Sequence, residues 1–434
     1  SARMVKVAFI GAGSVEFTRN VVTDLCSFGE LHGDLELSLH DIDAERLGYA
    51  NELAKRISAQ SGAGASVVSS IDRLTAIEGA DYVVNEIQVG GYRATRTDFD
   101  IPAQYGIRQT IADTIGIGGI FRGLRTIPVM TQIGEDLAKV APDAYLLNYS
   151  NPMAMLPWAV YAGSPFDRVV GLCHSVRDTH RFLAGLVDLP VPEIDFVTAG
   201  FNHQAFVLEF AHQGKDLYPR LRDVVESDPE LQRRVRVEMF RRFGYFPTES
   251  SEHSAEYVPW FMRHDQEIDQ FRIPVGEYLR RSEDNIDEYE TTLHTLQSDT
   301  SLELAPTSEM ASEFIHARET GRPAELYVNV RNSGLISNLP EECCVEVPAV
   351  VDADGLHPQA VGALPPQLAA LNRTFLNVVE LTVKAVLDGD RRHVYQAALL
   401  DPNTAATLTT HQTTQMCDEL LTAHGDLIPE ALRL

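Results

Sequence analysis

A cysteine and a histidine stand side by side in VVGLCHSV, residues 169–176, behind a short apolar run. The Cys173 thiolate could bind a divalent metal together with the imidazole of His203, which lies in TAGFNHQAF much later in the chain. Only the fold could bring the two residues together. The alternatives are an inert buried thiol for Cys173 and a hydrogen-bonded structural imidazole for His203.

Cys173 and His174 could also form a nucleophile and its base, but this interpretation is weaker than that of a metal ligand. Adjacent residues of a strand point to opposite faces, so their side chains would not hydrogen-bond to each other.

The densest polar and aromatic stretch is GYFPTESSEHSAEYVPWF, residues 244–261. Composition alone favours a solvated helix face that packs through Tyr257 and Trp260. The Asn- and Gly-rich stretch NVRNSGLISNLP, residues 329–340, predicts a structured loop or simply a turn.

The elements that must position these residues begin with VKVAFIGAGS, a strand that runs into glycines and then into a helical pattern. Gly11 permits the tight turn, and Gly13 lets the backbone approach a pyrophosphate before Ser14 leads into the helix. The third glycine of the usual G-x-G-x-x-G pattern is replaced by Glu16. These residues predict a dinucleotide site.

A second predicted strand, in DLELSLHDID, ends in Asp41, whose carboxylate can accept hydrogen bonds from the ribose hydroxyls. An acid at this position would repel a 2′-phosphate, which favours NAD over NADP. Further strands in DYVVNEI and DAYLLNYSNP continue the alternation. We therefore predict an α/β protein with a Rossmann-type, doubly wound parallel NAD-binding domain at 1–195, as in lactate and malate dehydrogenases. A mixed α/β catalytic and oligomerisation domain would occupy 196–434.

Charge and composition exclude some partners. The formal net charge of −26 argues against nucleic acid, because nothing concentrates lysine and arginine to neutralise phosphates. The apolar stretches are too short for a membrane helix, and the chain start does not resemble a signal peptide. Five irregularly spaced cysteines fit a reduced compartment, so we expect a cytoplasmic protein.

Many stretches, in order along the chain, resemble glycoside hydrolase family 4, the NAD-dependent glycosidases, and within it the bacterial α-galactosidases. They include FIGAGS (9–14), QTIADTIGIGGIFRGLRTIP (109–128), NYSNPMAM (148–155), GLCHSV (171–176), AGFNHQAF (199–206) and SAEYVPWF (254–261). CHSV is typical of the family's α-galactosidases.

The resemblance implies a redox-neutral hydrolysis of small α-galactosides such as melibiose. NAD⁺ takes hydride from C3 of the sugar, a tyrosinate removes the acidified C2 proton, and Mn²⁺ or another divalent ion stabilises the enediolate. The leaving group departs from C1 with help from a general acid, water adds, and the hydride returns.

The resemblance also assigns roles to individual residues. It implies Cys173 and His203 as metal ligands, and Asn151 and Asn202 as substrate-binding residues. Tyr257 would be the base, with Asp113 raising its basicity. His174 stands where related phospho-glycosidases carry an aspartate proton donor, so the imidazole or water would do that work. A homodimer or homotetramer is expected.

Other functions stay open at this point. They are an α-glucosidase or an α-galacturonidase of the same family, a 2-hydroxy-acid dehydrogenase, and an NAD-binding module without activity. A galacturonidase would need a cation for the uronate, which Arg93, Arg96 or Arg331 could supply.

Overall fold

The computed structural model describes residues 3–298 and 301–434. The first half alternates strands and helices: β1 (Val5–Ile10), α1 (Val15–Ser27), β2 (Leu35–His40), α2 (Ala44–Ser61), β3 (Ser66–Ser70), α3 (Arg73–Ile77), β4 (Tyr82–Asn85), α4 (Gly91–Gln104), α5 (Gly116–Val140), β5 (Tyr145–Asn148), α6 (Leu156–Gly163), β6 (Val169–Gly171) and α7 (Ser175–Val187).

The second half mixes hairpins and helices: β7 (Asp195–Phe201), β8 (Gln204–His212), β9 (Lys215–Asp216), α8 (Tyr218–Glu226), α9 (Val235–Phe243), β10 (Phe246–Pro247), α10 (Ser251–Glu256), α11 (Asp265–Gln270), α12 (Glu277–Gln297), α13 (Met310–Thr320), β11 (Ala324–Arg331), β12 (Cys344–Asp352), β13 (Gly355–Pro358), α14 (Pro366–Asp388), α15 (Arg392–Leu400), α16 (Pro402–Thr407) and α17 (Thr410–His424).

Six parallel strands form the first part of the sheet in the order β3-β2-β1-β4-β5-β6. This is the strand order of doubly wound dinucleotide-binding folds, and it confirms the predicted fold class. Leu37 and Ser38, whose side chains point to opposite faces of β2, are both buried, as expected for a strand covered on both faces.

The sheet does not end at β6 but continues through antiparallel strands in the order β11-β12-β7-β8-β10. A single residue pair, Gly171 with Asn329, joins β6 to β11, and another, Glu346 with Gly200, joins β12 to β7. The predicted division of the chain after residue 195 stays a prediction, and residue 195 is the first residue of β7.

One local prediction needs correction. Cys173 and His174 do not belong to a strand, because β6 ends at Gly171 and α7 begins at Ser175. Asn202 and His203 form the turn between β7 and β8, and the first half of β8 is buried throughout. No helix within 3–298 and 301–434 is long and apolar enough to cross a membrane.

Candidate active site

Four separate parts of the chain meet at one edge of the sheet. Cys173 follows the end of β6, His203 lies in the β7–β8 turn, Asp113 precedes α5, and Tyr257 directly follows α10. The carboxyl ends of parallel strands are the usual ligand-binding edge of a doubly wound sheet, and β6 is the last of these strands. The edge therefore collects side chains from both halves of the chain.

The sulfur of Cys173 lies 3.4 Å from Nε2 of His203. Two donor atoms bound to one divalent ion by bonds of about 2.0–2.3 Å lie roughly 3.0–3.7 Å apart. The pair predicted from distant sequence positions is thus close enough for both side chains to bind the same ion.

The other side of the His203 ring is held by hydroxyl groups. Its Nδ1 lies 3.1 Å from the Thr114 hydroxyl and 3.4 Å from the Tyr257 hydroxyl. These contacts turn Nε2 toward Cys173 and toward Glu249, whose Oε2 is 3.8 Å away. A neutral imidazole oriented in this way is a suitable metal ligand.

Glu249 adds a carboxylate to this site that the sequence had not singled out. Its Oε1 pairs with Nδ1 of His253 at 3.0 Å, whereas its Oε2 is buried without a hydrogen-bond partner among the described residues. A buried, unpartnered carboxylate oxygen carries a large desolvation cost unless a cation compensates for it. The orphaned oxygen beside His203 therefore fits a divalent cation.

A second set of possible ligands shares His203. One atom each from Asp113, His203 and His253 lie within 4.8 Å of one another, and all three residues are buried. Nε2 of His253 is 3.7 Å from Oδ1 of Asp113. The site as a whole therefore offers more nitrogen and oxygen donors than the Cys173–His203 pair alone.

The buried charges in this site shift one another's pKa values. Burial disfavours a charged imidazole, but Glu249 and Cys173 outweigh it and raise the pKa of His203 to about 9. Burial likewise opposes the ionised carboxyl of Glu249, yet His203 and His253 lower its pKa. The positive charge of protonated histidines thus offsets the negative charge of the carboxylates, and a bound metal ion could supply that positive charge instead.

Tyr257 is buried, and its ring meets Phe375 of α14 edge-on at 5.3 Å between centroids. Burial raises the pKa of its hydroxyl well above the ordinary value, and the negative charges of Glu249 and Asp113 raise it further. A tyrosinate here would need a cation nearby, and the candidate ion site beside His203 is where one would bind.

Asp113 and Asn151 contact each other at the rim of this cluster. The Asn151 amide donates to Oδ2 of Asp113 at 3.2 Å, and the Thr114 hydroxyl donates to Oδ1 at 3.0 Å. The Asn151 amide oxygen is buried and has no hydrogen-bond partner among the described residues. It is therefore free to accept a hydrogen bond from a bound hydroxyl group.

His174 and its neighbour Cys173 have different partners: Cys173 contacts His203, whereas His174 contacts Glu309. Its Nε2 lies 3.1 Å from Oε2 of Glu309, and its side chain is 40% exposed. The hydrogen bond with Glu309 raises the pKa of His174. Glu309 is itself fixed, because its backbone N–H donates to the buried carboxylate of Asp24 in α1. A protonatable imidazole thus stands at the accessible side of the site.

Asn202 is fully buried beneath the site and donates to Glu346 at 3.4 Å. Asn329 donates to the same carboxylate oxygen at 3.3 Å and to the Gly171 carbonyl at 3.2 Å. Burial raises the pKa of Glu346 to about 7. Asn202 belongs to the β7–β8 turn and Glu346 to β12, so their hydrogen bond ties the turn that carries His203 to the sheet.

The predicted dinucleotide turn has the close contacts that only glycine allows. Gly11 has φ +83°, and a Cβ there would lie 2.3 Å from the carbonyl oxygen of Glu86. A Cβ at Gly13 would lie 2.6 Å from Oδ2 of Asp41, which accepts the Gly13 N–H at 2.7 Å. Ser14 then closes the turn by donating its N–H to the Gly11 carbonyl. A turn that only glycines can form, beside a strand-end acid, fits NAD.

The sequence interpretation missed Glu249, His253, Thr114 and Glu309. The stretch around Glu249 and His253 was expected to be solvated, but both side chains are buried. The available signal was the spacing: Glu249, His253 and Tyr257 recur every four residues, as do side chains that share one face of a helix. In the structure, His253 lies in α10 and the other two residues flank it.

Comparison with known proteins gives the chain's relatives. The Family 4 glycosyl hydrolase model matches residues 6–189, and the model of that family's C-terminal domain matches 198–404. The chain is 42% identical to an alpha-galactosidase of Bacillus subtilis (strain 168), over 98% of this chain and 100% of the relative. It is 34% identical to an alpha-galactosidase of Rhizobium meliloti (strain 1021), over 98% and 89%.

Solved structures share the fold. A 6-phospho-alpha-glucosidase from gut microorganisms, solved in complex with NAD and Mn²⁺, has a TM-score of 0.84 at 20% identity, covering 99% of this chain and all of that one. Malate dehydrogenase from Plasmodium falciparum has a TM-score of 0.52 at 15% identity, covering 89% and 99%. Since close relatives match along almost their entire length, the chain belongs to glycoside hydrolase family 4 and is a glycosidase.

Proposed function

We propose that the protein is an α-galactosidase that hydrolyses small α-galactosides such as melibiose, using NAD and Mn²⁺ or another divalent ion. Two relatives at 42% and 34% identity bear that activity in their names. The observation that carries the mechanism is the convergence on His203, whose ring has the Cys173 sulfur 3.4 Å from Nε2 and the Tyr257 hydroxyl 3.4 Å from Nδ1.

When bound, NAD supplies a reversible hydride acceptor for C3 of the sugar, and the metal supplies a Lewis acid for the oxygens at C2 and C3. Gly11, Gly13, Ser14 and Asp41 would hold the dinucleotide. Cys173 and His203 would hold the ion, with the unpartnered oxygen of Glu249 facing it.

Tyr257 is the base in this proposal, and its hydroxyl oxygen takes the proton from C2. The buried Asp113 raises the pKa of the Tyr257 hydroxyl, which makes the ionised oxygen a stronger base. Asn151 and Asn202 are assigned to substrate binding. Both amide oxygens are buried without a hydrogen-bond partner among the described residues. That of Asn151 belongs to the amide that contacts Asp113 and suits a sugar hydroxyl, whereas Asn202 is fully buried against Glu346.

His174 is the proton donor to the leaving glycosidic oxygen. The hydrogen bond with Glu309 raises the pKa of the imidazole, which favours the protonated form, and its partly exposed side chain can reach an aglycone that extends toward solvent. Elimination across C1 and C2 followed by addition of water at C1 gives net hydrolysis with no net oxidation.

Two of the three arginines named for the galacturonidase alternative already have partners. Arg96 pairs with Asp100 at 3.0 Å on the surface of α4. Arg331 lies over the Tyr161 ring at 4.5 Å and 3.8 Å from Glu342. Each already has partners outside the site, so neither is poised to bind a uronate. The oligomeric state and the cytoplasmic location stay predictions.

The test is hydrolysis of 4-nitrophenyl α-galactoside by protein freed of metal and cofactor with a chelator and dialysis. The assays contain NAD⁺ alone, Mn²⁺ alone, or both, while absorbance follows nitrophenol and net NADH. We expect nitrophenol only with both additions and no accumulation of NADH. Hydrolysis without NAD⁺ would refute the proposed route, and activity restricted to α-glucosides or α-galacturonides would refute the substrate.

A further inference from the structure

Helix α12 crosses the dinucleotide half of the molecule although most of its side chains are exposed. The Arg56 side chain of α2 donates to the carbonyls of Thr295 and Leu296, and the Tyr49 ring meets the Tyr289 ring edge-on at 6.3 Å. Two further side-chain contacts matter here. The Tyr289 ring lies over the Arg46 guanidinium of α2, 3.9 Å from its carbon to the ring centroid. Nearer its start, Glu283 accepts a hydrogen bond from the Tyr92 hydroxyl of α4 at 3.0 Å. A polar helix is thus held against the fold by a few specific contacts.

Arg46 connects this helix directly to the glycine turn. Its Nη1 donates to the Gly13 carbonyl at 3.0 Å. A Cβ added at Gly13 would lie 2.8 Å from the Cβ of Arg46. It would also meet the Asp41 carboxylate, which accepts the Gly13 N–H. Tyr289, Arg46 and the turn therefore form one continuous stack beside the space that a dinucleotide would enter.

The other end of the helix is attached to the candidate active site. The backbone N–H of Gly276, which precedes α12, donates to the Gln109 carbonyl at 2.8 Å, and that of Tyr278 donates to the Thr110 carbonyl at 2.9 Å. These two carbonyls belong to the loop that carries Asp113 a few residues later. The helix thus extends from the catalytic loop to the glycine turn.

We infer that Arg46 and Tyr289 form a clamp that retains the cofactor. The Arg46 guanidinium would lie beside the pyrophosphate and adenosine, and the Tyr289 ring covers the guanidinium. This inference rests on the proposed function, in which the hydride taken from C3 must return to the same sugar. A reduced cofactor that left between the two transfers would strand an oxidised intermediate. A cation next to a pyrophosphate also adds a charge-assisted contact.

The experiment measures cofactor binding without substrate or metal. Calorimetry gives the Kd of NAD⁺, and stopped-flow fluorescence gives the rate at which excess NAD⁺ displaces NADH. Tyr289→Ala should release NADH roughly 3- to 30-fold faster, the range expected for losing a cation–π contact. Tyr289→Phe, which keeps the ring, and Glu288→Gln, at an exposed neighbouring position of the same helix, should release it at the wild-type rate.

A double-mutant cycle isolates the contact. If the two residues act together, Arg46→Ala combined with Tyr289→Ala should weaken binding by less than the product of the single effects. Unfolding curves show whether each variant is folded, and Tyr289→Leu replaces the alanine variant if that one is not. Wild-type protein that binds no NAD would overturn the proposed function and the clamp together. Wild-type protein that binds NAD, with unchanged release in the Arg46 and Tyr289 variants, would overturn the clamp alone.

Discussion

Glu249→Gln is the most direct test of the candidate metal site. The substitution keeps the size and shape of the side chain and removes its charge. In the structure, one carboxylate oxygen of Glu249 is 3.0 Å from Nδ1 of His253. The other is buried without a hydrogen-bond partner among the described residues, 3.8 Å from Nε2 of His203.

The expected magnitude follows from these distances. At an effective dielectric constant of 20, two unit charges 4 Å apart attract by about 4 kcal/mol. Much of this attraction offsets the cost of burying the carboxylate, which is present with or without a bound ion. Loss of a partner that supports a metal ligand typically weakens metal binding by about 10- to 100-fold, or about 1.4–2.8 kcal/mol. We expect Glu249→Gln to weaken Mn²⁺ binding by this factor.

Calorimetry and the electron paramagnetic resonance signal of free Mn²⁺ would measure the affinity at one fixed pH, without NAD or sugar. The matched control is Glu252→Gln, three residues further along the chain in α10, because the Glu252 carboxylate interacts with Ser250. The control should bind Mn²⁺ like the wild type. An unchanged Mn²⁺ affinity in folded Glu249→Gln would refute the argument that the orphaned oxygen faces the ion.

Three more predictions follow from other contacts. Tyr257→Phe should lower kcat by roughly 10²- to 10⁴-fold and abolish exchange of the C2 proton with D₂O, and wild-type exchange in the variant would exclude Tyr257 as the base. Gly13→Ala should weaken NAD⁺ binding about 10-fold in calorimetry, because the added methyl meets Asp41 and Arg46. Burial depresses the pKa of His180 to about 4, below an unfolded value near 6.5, so its contribution to stability is complete above about pH 6.5 and is lost as the pH falls toward 4. The wild type should therefore lose about 3 kcal/mol more stability than folded His180→Gln between pH 7 and 4 in chemical unfolding, and parallel curves would contradict this assignment.

Local sequence patterns were sufficient to predict the dinucleotide-binding half of the fold. Apolar strands, the glycine turn and an acid at the next strand end are all encoded within short windows, so β1, α1, β2 and Asp41 could be predicted from the sequence alone. The antiparallel continuation of the sheet could not, because its two junctions are single residue pairs between distant segments. Nothing in the neighbourhood of Asn329 or Glu346 along the chain indicates those partners.

The candidate site was predictable only in part, for the same reason. Resemblance to a family supplied Cys173, His203 and Tyr257 as residues, and the fold then placed them within contact of one another. Glu249 and His253 were missed because polar residues at helical spacing ordinarily face water. Here the β7–β8 turn and the loop before α5 cover them, and that burial is a tertiary effect that composition cannot reveal.

Gly171, Asn329, Glu346 and Gly200 pair side by side in a row across four strands. Cys173 follows one end of this row by two residues, and His203 follows the other end by three. The sulfur and the imidazole thus come together only after β11 and β12 have docked between β6 and β7. High-affinity Mn²⁺ binding should accordingly appear late in refolding and report that the two ends of the sheet have joined, whereas the glycine turn could form before that event.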